Sequence, residues 1–365
     1  MPKSKRPAAP QPRGRRPATV TAILGVVILV GIVVSAAVLT RNGERPSTGA
    51  PRSGDAGAVA VGALPPSSVH TFTLTPSYSA PRAVIAGPDG NMWVTQQSGG
   101  AIARVTPKGA VNSFAVRNPN SGPFGITVGP DKALWFIETY GSVLGRIDTS
   151  GHLKQFLLPI QGAQPLSIAA GSDGNLWITI PNLGSIAEFT PAGKVKGIPM
   201  PVGAAPYRIV AGPDGALWFT DPGTNSIGRL STDGTVKEFA VPTPKADPYA
   251  ITVGPDGALW FTEQEAGAIG RITTAGVITE FPLADPAAKP ASITAGPGGG
   301  LWFSETAAGA IGRMQMDGTE YAWTLPPVGQ GPVSPDGLAF DRAGDLWVAG
   351  VDANALYRIG VKGLG

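Results

Sequence analysis

From residue 69 onward, short apolar runs alternate with glycine and proline turns. In residues 248–283 the runs are separated by Pro255-Asp256-Gly257 and Ala275-Gly276, where glycine supplies the positive φ that a tight turn needs. This unit predicts four short strands, at 251–253, 258–262, 269–273 and 277–281. A helical repeat is excluded because glycine or proline recurs every five to ten residues.

A tryptophan inside the second strand of each unit marks the period of the repeat. It occurs seven times, 41 to 45 residues apart, as Trp93, Trp135, Trp177, Trp218, Trp260, Trp302 and Trp347. Four strands in a unit of this length are typical of a propeller blade. The sequence therefore predicts an all-β fold, a seven-bladed β-propeller formed by residues 69–363.

The two ends of the repeat region predict how the ring closes. The seventh unit stops after its third strand, at residues 356–359, and residues 69–74 resemble a fourth strand without a blade of its own. We expect residues 69–74 to complete the last blade, because this pairing removes an exposed sheet edge.

The N-terminal region carries a different pattern. Residues 19–39 contain no charge and are long enough to cross a bilayer as one transmembrane helix. Six Lys and Arg residues precede this segment, so we expect residues 1–18 to be a basic cytoplasmic tail and the propeller to lie on the extracytoplasmic side. The alternative is a signal peptide cleaved near Ala36 and a secreted protein. Residues 40–68, rich in Pro, Gly and Ser, are predicted to be a flexible linker.

Composition narrows the chemistry. The chain has no Cys and only two His, His70 and His152, which excludes disulfides and a Cys nucleophile and argues against a multi-histidine metal site. We expect both histidines to be solvated surface residues. The sequence pI of about 9.1 comes from the basic tail. The remaining chain is net acidic, so nucleic-acid binding has no electrostatic support.

Two repeat positions are predicted to meet at one mouth of the ring, because the first strand of a blade begins where the antiparallel second strand ends. The residue after the proline that opens each blade is Arg82, Phe124, Leu166, Tyr207, Tyr249, Ala291 and Asp336. The residue three positions after each tryptophan is Gln96, Glu138, Ile180, Asp221, Glu263, Glu305 and Gly350. Varied side chains on a repeated frame indicate a surface for a small-molecule or peptide ligand, the alternative being relaxed packing at a solvent-filled mouth.

The residue types suggest two kinds of site there. Phe124, Tyr207 and Tyr249 are predicted to form an aromatic wall for the ligand, with Glu138 beside it, unless they plug the channel. Asp221, Glu263 and Glu305 follow one another around the ring, so a hard cation, Mg²⁺ or Ca²⁺, would relieve their repulsion. The alternative is pairing with the arginines of the third strands, Arg104, Arg146, Arg229, Arg271, Arg313 and Arg358.

The blade signature GPDGxLWFTE…IGRIT…G…EF resembles the virginiamycin B lyase family, also called streptogramin B lyases, over residues 69–363. The resemblance implies a seven-bladed propeller. It also implies a carbon–oxygen lyase that opens a cyclic depsipeptide antibiotic at its ester by elimination, with Mg²⁺ and a general base.

The family site maps onto four positions of this chain. A family histidine after a blade-opening proline falls on Tyr249, the family Glu-Pro-His falls on Lys289-Pro290-Ala291, and a family glutamate after the tryptophan strand is kept as Glu305. The catalytic base is thus absent at Ala291. We expect a membrane-anchored extracellular propeller that binds a ligand or partner at its mouth. The alternatives are an active streptogramin-B-type lyase or related Mg-dependent lyase or hydrolase using the acidic ring, and a purely structural envelope protein.

Overall fold

The structure is a computed structural model that describes residues 61–328 and 333–364. The predicted basic tail, the predicted transmembrane segment and residues 40–60 of the predicted linker lie outside the described residues. Within the described ranges, no helix has the length and apolar character that a membrane span requires. The helical elements there are 3₁₀ turns of three residues each.

Seven sheets form the predicted all-β propeller, and the four strands of each blade are antiparallel, in chain order in blades 1 to 6. Blade 1 contains β3 (Pro81–Ala86), β4 (Met92–Gln96), β5 (Ala101–Val105) and β6 (Val111–Ala115). Blade 2 contains β7 (Pro123–Val128), β8 (Leu134–Glu138), β9 (Val143–Ile147) and β10 (Leu153–Leu157). Blade 3 contains β11 (Ile168–Ala170), β12 (Leu176–Ile180), β13 (Ser185–Phe189) and β14 (Val195–Pro199).

The later blades repeat this order. Blade 4 contains β15 (Ile209–Ala211), β16 (Leu217–Asp221), β17 (Ser226–Leu230) and β18 (Val236–Ala240). Blade 5 contains β19 (Pro248–Val253), β20 (Leu259–Glu263), β21 (Ala268–Ile272) and β22 (Ile278–Pro282), within a few residues of the predicted bounds. Blade 6 contains β23 (Pro290–Ala295), β24 (Leu301–Glu305), β25 (Ala310–Met314) and β26 (Glu320–Thr324). Each first strand contacts the first strand of the next blade, and β27 of blade 7 contacts β3, which closes the ring.

Blade 7 is completed from the N-terminal side, as the sequence predicts. It contains β27 (Pro335–Phe340), β28 (Leu346–Gly350), β29 (Ala355–Ile359) and β2 (Val69–Thr73), which pairs antiparallel with β29. Phe72 of β2 stacks on Trp347 with ring centroids 5.3 Å apart, so the closing strand also supplies core packing. His70 of β2 is exposed, and His152 is an exposed hairpin residue whose Nδ1 lies 2.9 Å from Asp148.

One strand was not anticipated. β1 (Val61–Ala63) pairs in parallel with β26 and becomes the fifth strand of blade 6. A 3₁₀ turn at Pro66–Ser68 then leads into β2. The described end of the predicted linker, from residue 61 to 68, is therefore part of the folded ring, which corrects the predicted boundary at residue 69.

The repeat tryptophans are buried in the hydrophobic core. Blade 5 illustrates the contacts that they make. Trp260 stacks on Phe281 of the fourth strand at 5.3 Å, and its indole Nε1 donates to Asp256 of the preceding turn at 3.0 Å. Arg271 lies directly opposite Trp260 in the register and bonds the other carboxylate oxygen of Asp256 at 2.6 Å. Although burial alone would raise the pKa of Asp256, these bonds lower it.

The third-strand arginines therefore do not pair with the acids that follow the tryptophan strands. Four of the six pair with turn aspartates, as Arg146–Asp131, Arg229–Asp214, Arg271–Asp256 and Arg358–Asp345. Arg104 and Arg313 donate instead to the backbone carbonyls of Thr149 and Leu364. The register gives the reason: each arginine lies opposite the tryptophan, whereas the predicted ring acid lies three residues further along the second strand. The alternative of acid–arginine pairing is wrong.

Candidate functional site

In five of the seven blades, a β-bulge follows the opening proline and redirects the residue after it. In blade 5, Pro248 pairs with Glu263, and the next pair is Ile251 with Phe261, so the two residues between Pro248 and Ile251 are not in register. The same shift recurs in blades 1, 2, 6 and 7. Because a bulge redirects side chains, Tyr249 leaves the face of the blade and points into the mouth, where it lines a cavity.

A hydroxyl of the neighbouring blade fixes the backbone at this position. Thr262 of blade 5 accepts a hydrogen bond from the Ala250 amide at 3.0 Å and donates one to the carbonyl of Ala291 in blade 6 at 2.7 Å. Thr95, Thr179 and Thr220 donate in the same way to the carbonyls of Phe124, Tyr207 and Tyr249. These bonds link one blade to the next and hold the mouth residues on a rigid frame.

The structure brings together the three predicted aromatic residues around an arginine. The rings of Tyr207 and Tyr249 lie 4.7 Å apart, and their hydroxyls are hydrogen-bonded at 3.2 Å. The guanidinium of Arg208 lies 4.8 Å from the centroid of Phe124 and 5.8 Å from the centroid of each tyrosine. Such distances are in the range of cation–π contacts, so the aromatic wall is organised around a cation.

Arg208 is the mouth residue that sequence reasoning missed. The second residue after the opening proline is small in the other six blades: Ala83, Gly125, Ser167, Ala250, Ser292 and Gly337. The reason is crowding at the axis, since a Cβ on Gly337 would lie 2.3 Å from the Arg82 carbonyl oxygen. A single arginine in a column of small residues was the signal that could have identified it.

Asp336 places a carboxylate beside this cluster. Its side chain is only 5% exposed, and it lies 3.4 Å from Nη1 of Arg82 and 4.0 Å from Nη2 of Arg208. Its Oδ1 has no hydrogen-bond partner among the described residues. Burial alone would lower the pKa of Arg208, but Tyr249 and Asp336 raise it, so the arginine stays charged. Burial and Asp336 raise the pKa of Tyr249, so its phenol stays protonated at neutral pH.

Two cavities lie at these residues. The larger, of about 280 Å³, is lined among others by Arg82, Tyr249, Ala291 and Asp336. The smaller, of about 130 Å³, is lined by the following residues of the first strands, including Ser167, Arg208 and Gly337. A ligand in the larger cavity would meet the ring of Tyr249, the guanidinium of Arg82 and the carboxylate of Asp336, and Arg208 lines the adjoining smaller cavity.

The family catalytic positions lie around the same pocket. Tyr249 and Ala291 line it, while Lys289 contacts the carboxylate of Glu265 at 2.5 Å. Glu305 pairs with Pro290 in the sheet register and is only 3% exposed. Burial, together with Glu320 and Asp285, raises the pKa of Glu305 to about 7.

The four predicted ring acids do not line the mouth. Glu138, Asp221 and Glu263 are fully buried, and Glu305 is nearly so. The side chain of each acid lies inside its own blade, close to the middle residues of the third and fourth strands. We call the space around this side chain the slot of the blade. In blade 2, Glu138 accepts hydrogen bonds from Ser121 and Gln155, both at 2.5 Å. Glu138 is therefore an internal anchor, and its predicted role in ligand binding at the mouth has no support in this geometry.

The three predicted metal ligands are not brought together either. Asp221, Glu263 and Glu305 occupy the slots of three different blades, and residues 61–328 and 333–364 contain no group of three acidic or histidine side chains that could hold a metal ion. At the family site, the motif's glutamate is replaced by Lys289, whose ammonium group pairs with Glu265, and its histidine by Ala291, which offers no ligand atom in its side chain. The residues present do not fit the Mg²⁺ that the resemblance implies.

Comparison with known proteins agrees with this fold. The sequence model of the virginiamycin B lyase family matches residues 54–207 and 164–364. A solved virginiamycin B lyase from Staphylococcus aureus is 34% identical, with a TM-score of 0.75, over 80% of this chain and 98% of its own. A streptogramin B lyase structure is 33% identical, with a TM-score of 0.76, over 80% of this chain and 97% of its own.

A third solved structure is similar to the same extent. It is a catalytically inactive histidine-to-alanine variant of the Staphylococcus aureus virginiamycin B lyase with quinupristin, 34% identical, with a TM-score of 0.75, over 80% of this chain and 98% of its own. Among the curated proteins, none matches this chain.

Proposed function

This chain belongs to the virginiamycin B lyase family, and from that premise we propose that it is a ligand-binding member that has exchanged lyase chemistry for recognition at the mouth. The observation that carries the proposal is the cluster of Tyr207, Arg208, Tyr249 and Asp336. Tyr249 and Asp336 of this cluster line the pocket that also contains the family position Ala291. The cluster offers stacking surfaces and hydrogen-bonding groups, but not the histidine that the family motif places there.

The chemistry of the pocket favours a peptide-like ligand with an aromatic group. Asp336 Oδ1 needs a donor, and Arg208 Nη2 lies 4.0 Å away, too far for a direct hydrogen bond. A peptide amide supplies an N–H for the carboxylate and a C=O for the guanidinium, and so bridges the two groups. A ring on the ligand would stack against Tyr249, whose hydroxyl is already bonded to Tyr207.

Loss of the family base supports recognition without turnover. Ala291 has no proton-accepting group, and the raised pKa of Tyr249 keeps its phenol protonated. In the inactive relative, a histidine-to-alanine change accompanies loss of catalysis with quinupristin. The competing function, a metal-dependent lyase or hydrolase using the acidic ring, is disfavoured because the acids lie in separate slots.

The test is binding of a blocked aromatic amide, N-acetyl-tyrosinamide, to the purified full-length chain by saturation-transfer difference NMR. We expect a signal that is lost in Arg208→Ser, a residue that the same position carries in blades 3 and 6, and weakened in Tyr249→Ala. Tyr78→Ala is the matched control, because Tyr78 is 87% exposed and lines neither of the two cavities at the axis. An equal signal in Arg208→Ser and in the wild type would contradict the proposal.

We propose further that the propeller is tethered outside the cell by residues 19–39, on the support of the uncharged apolar sequence and the basic residues before it. Protease added to intact cells should digest the propeller, and protection until lysis would contradict this orientation. Intact-mass measurement of the protein from membranes distinguishes a retained anchor from cleavage near Ala36, which would remove the first 36 residues.

A further inference from the structure

Blade 5 contains a slot with two carboxylates, Glu263 and Glu280, and one of them is fully buried. Glu263 is fully buried, and neither of its carboxylate oxygens has a hydrogen-bond partner among the described residues. Glu280, the middle residue of the fourth strand, is the charged group that acts on it: burial and Glu280 raise the pKa of Glu263 to about 8. An unpartnered buried carboxylate facing another carboxylate is costly, so something outside the chain must compensate it.

Glycine makes the meeting of the two carboxylates possible. Gly270 pairs with Glu280 on one side and with Phe261 on the other, and a Cβ on Gly270 would lie 2.1 Å from the Phe261 ring. The third strand therefore has no side chain at this level to separate Glu263 from Glu280.

The other blades show how the slot is satisfied when a donor is available. In blade 1, Gln96 Nε2 and Ser113 Oγ both donate to the Thr75 carbonyl, at 2.9 and 3.1 Å. In blade 2, Gln155 donates to Glu138. In blade 7, the Tyr357 hydroxyl donates to the Pro326 carbonyl at 3.2 Å. An amide, an amide and a phenol thus supply the proton that the oxygen atoms of each slot require.

Blade 5 replaces these donors with acceptors. The Pro242 carbonyl is the blade 5 equivalent of the Thr75 and Pro326 carbonyls. Each of these three residues directly follows a residue whose amide donates to the loop between the second and third strands of a blade. Both oxygens of Glu280 accept from Thr243, from its amide at 2.9 Å and its hydroxyl at 3.0 Å. Within the described residues, Lys and Arg form ion pairs elsewhere and none with Glu263 or Glu280.

We propose that the slot of blade 5 binds a hard divalent cation, Ca²⁺, between the carboxylates of Glu263 and Glu280. Two carboxylates balance its charge, and the Thr243 hydroxyl, backbone carbonyl groups and water are the further oxygen ligands that Ca²⁺ accepts. A single proton shared by the two carboxyls would form one hydrogen bond and leave an oxygen of Glu263 without a partner. Glu280 is partly exposed, so the ion can enter from solvent.

Blade 4 shows why blade 5 is the stronger site. Its slot also carries two acids, Asp221 and Glu238, and burial with the charge of Asp221 raises the pKa of Glu238. Asp221 Oδ1, however, already accepts from the amides of Ala205 and Thr224, at 2.8 and 3.2 Å. In blade 4 the buried oxygens without a partner are divided between Asp221 Oδ2 and Glu238 Oε1, whereas in blade 5 both oxygens of one fully buried carboxylate, Glu263, lack a partner. This inference concerns a structural cation remote from the mouth and does not rest on the proposed ligand.

The test measures Ca²⁺ binding by the full-length chain at pH 7.5. After dialysis of parallel samples against millimolar Ca²⁺ and against EDTA, we expect Ca²⁺ to raise the Tm by a few degrees, as for a site with a Kd of roughly 10⁻⁴ M. Calorimetric titration with CaCl₂ should show the corresponding binding. Glu263→Gln and Glu280→Gln should each abolish the Tm shift that Ca²⁺ produces.

The matched control is Glu265→Gln, which removes a carboxylate two residues away that is 57% exposed and outside the slot. It should retain the full Ca²⁺ response. A gain-of-site variant, Gln155→Glu, gives blade 2 a second acid and should add to the response. Absence of a Ca²⁺ effect on the wild type, or an undiminished effect in both Glu263→Gln and Glu280→Gln, would overturn the proposal and leave a shared proton as the compensating group.

Discussion

The residues after the prolines and the residues after the tryptophans look alike in sequence, as two variable positions on one repeated frame, yet the structure sends them to opposite environments. Tyr249 and Arg82 line an open pocket, whereas Glu138 and Glu263 are fully buried inside blades. The bulge after the opening proline is the cause, because it redirects only the first strand. We therefore expect substitutions at the mouth to change ligand binding, and substitutions in the slot to change the stability of the blade.

The comparison predicts that the frame around the slot is the most sensitive to substitution. Gly145→Ala and Gly270→Ala should each cost about 3 kcal/mol or more of unfolding free energy, because the new Cβ would lie 2.1 Å from a buried phenylalanine ring in both blades. Chemical denaturation of the full-length chain measures this cost. Gly197→Ala is the matched control: nothing lies within 4 Å of its Cβ, so it should be neutral or mildly stabilising. Equal losses at all three glycines would break the comparison.

A second prediction separates two slots that carry the same acid. Glu138→Gln should cost roughly 1–3 kcal/mol, because the carboxylate accepts from Ser121 and Gln155 with its two oxygens, and a neutral amide keeps only one accepting oxygen. The same change at Glu263 removes an unpartnered carboxylate and should stabilise the chain at pH 8 in EDTA. A loss of stability in both variants would show that the two slots do not differ.

The pH dependence of the unfolding free energy is an independent test of whether the ionised Glu263 destabilises the fold. Burial and Glu280 raise the pKa of Glu263 from 4.5 to about 8, so between these values the folded state holds a proton that the unfolded state has released. Stability should then fall as pH rises from about 5 to 8, by at most ~1.4 kcal/mol per pH unit. Denaturation in EDTA across this window should show the decline in the wild type and a flatter profile in Glu263→Gln. A wild-type profile that rises with pH and is unchanged in the variant would contradict this account.

The smallest effect on stability is expected at the mouth. Arg208→Ser should change the unfolding free energy by less than about 1 kcal/mol, because the lost stacking is offset by removing a largely buried charge. Its effect should appear in ligand binding instead. Thermal and chemical denaturation of the variant check this, and a loss comparable to that of Gly270→Ala would place Arg208 in the structural frame.

Much of the fold could be predicted from the sequence, because each blade repeats its own strand and turn signals. The tryptophan period, the strands of blade 5 and the closing strand at residues 69–74 all required only local patterns and a count of strands. Strand β1 was not predictable in this way, since a parallel pair between residues 61–63 and β26 depends on contacts remote in sequence.

The candidate site was less predictable for a physical reason. Two strand ends at the same mouth need not expose their side chains to the same space, and the bulge that separates them leaves no mark beyond the opening proline. Arg208 could have been found by aligning the blades, because it stands where the other blades have Ala, Gly or Ser. The pairing of Glu263 with Glu280 could not, since it depends on which residues of the second and fourth strands meet across Gly270.

The central claim, that the mouth has kept the family fold and lost its chemistry, is tested most directly by incubating the full-length chain with a streptogramin B and Mg²⁺. Ring opening is followed by chromatography with tandem mass spectrometry, because elimination leaves the mass unchanged, with an authentic lyase as the positive control. A general base typically contributes ~10²–10⁴-fold, so we predict turnover at least that far below the control and an increase when Ala291→His, Lys289→Glu and Tyr249→His are combined. Ring opening by the unmodified chain within a few-fold of the authentic lyase would contradict the account.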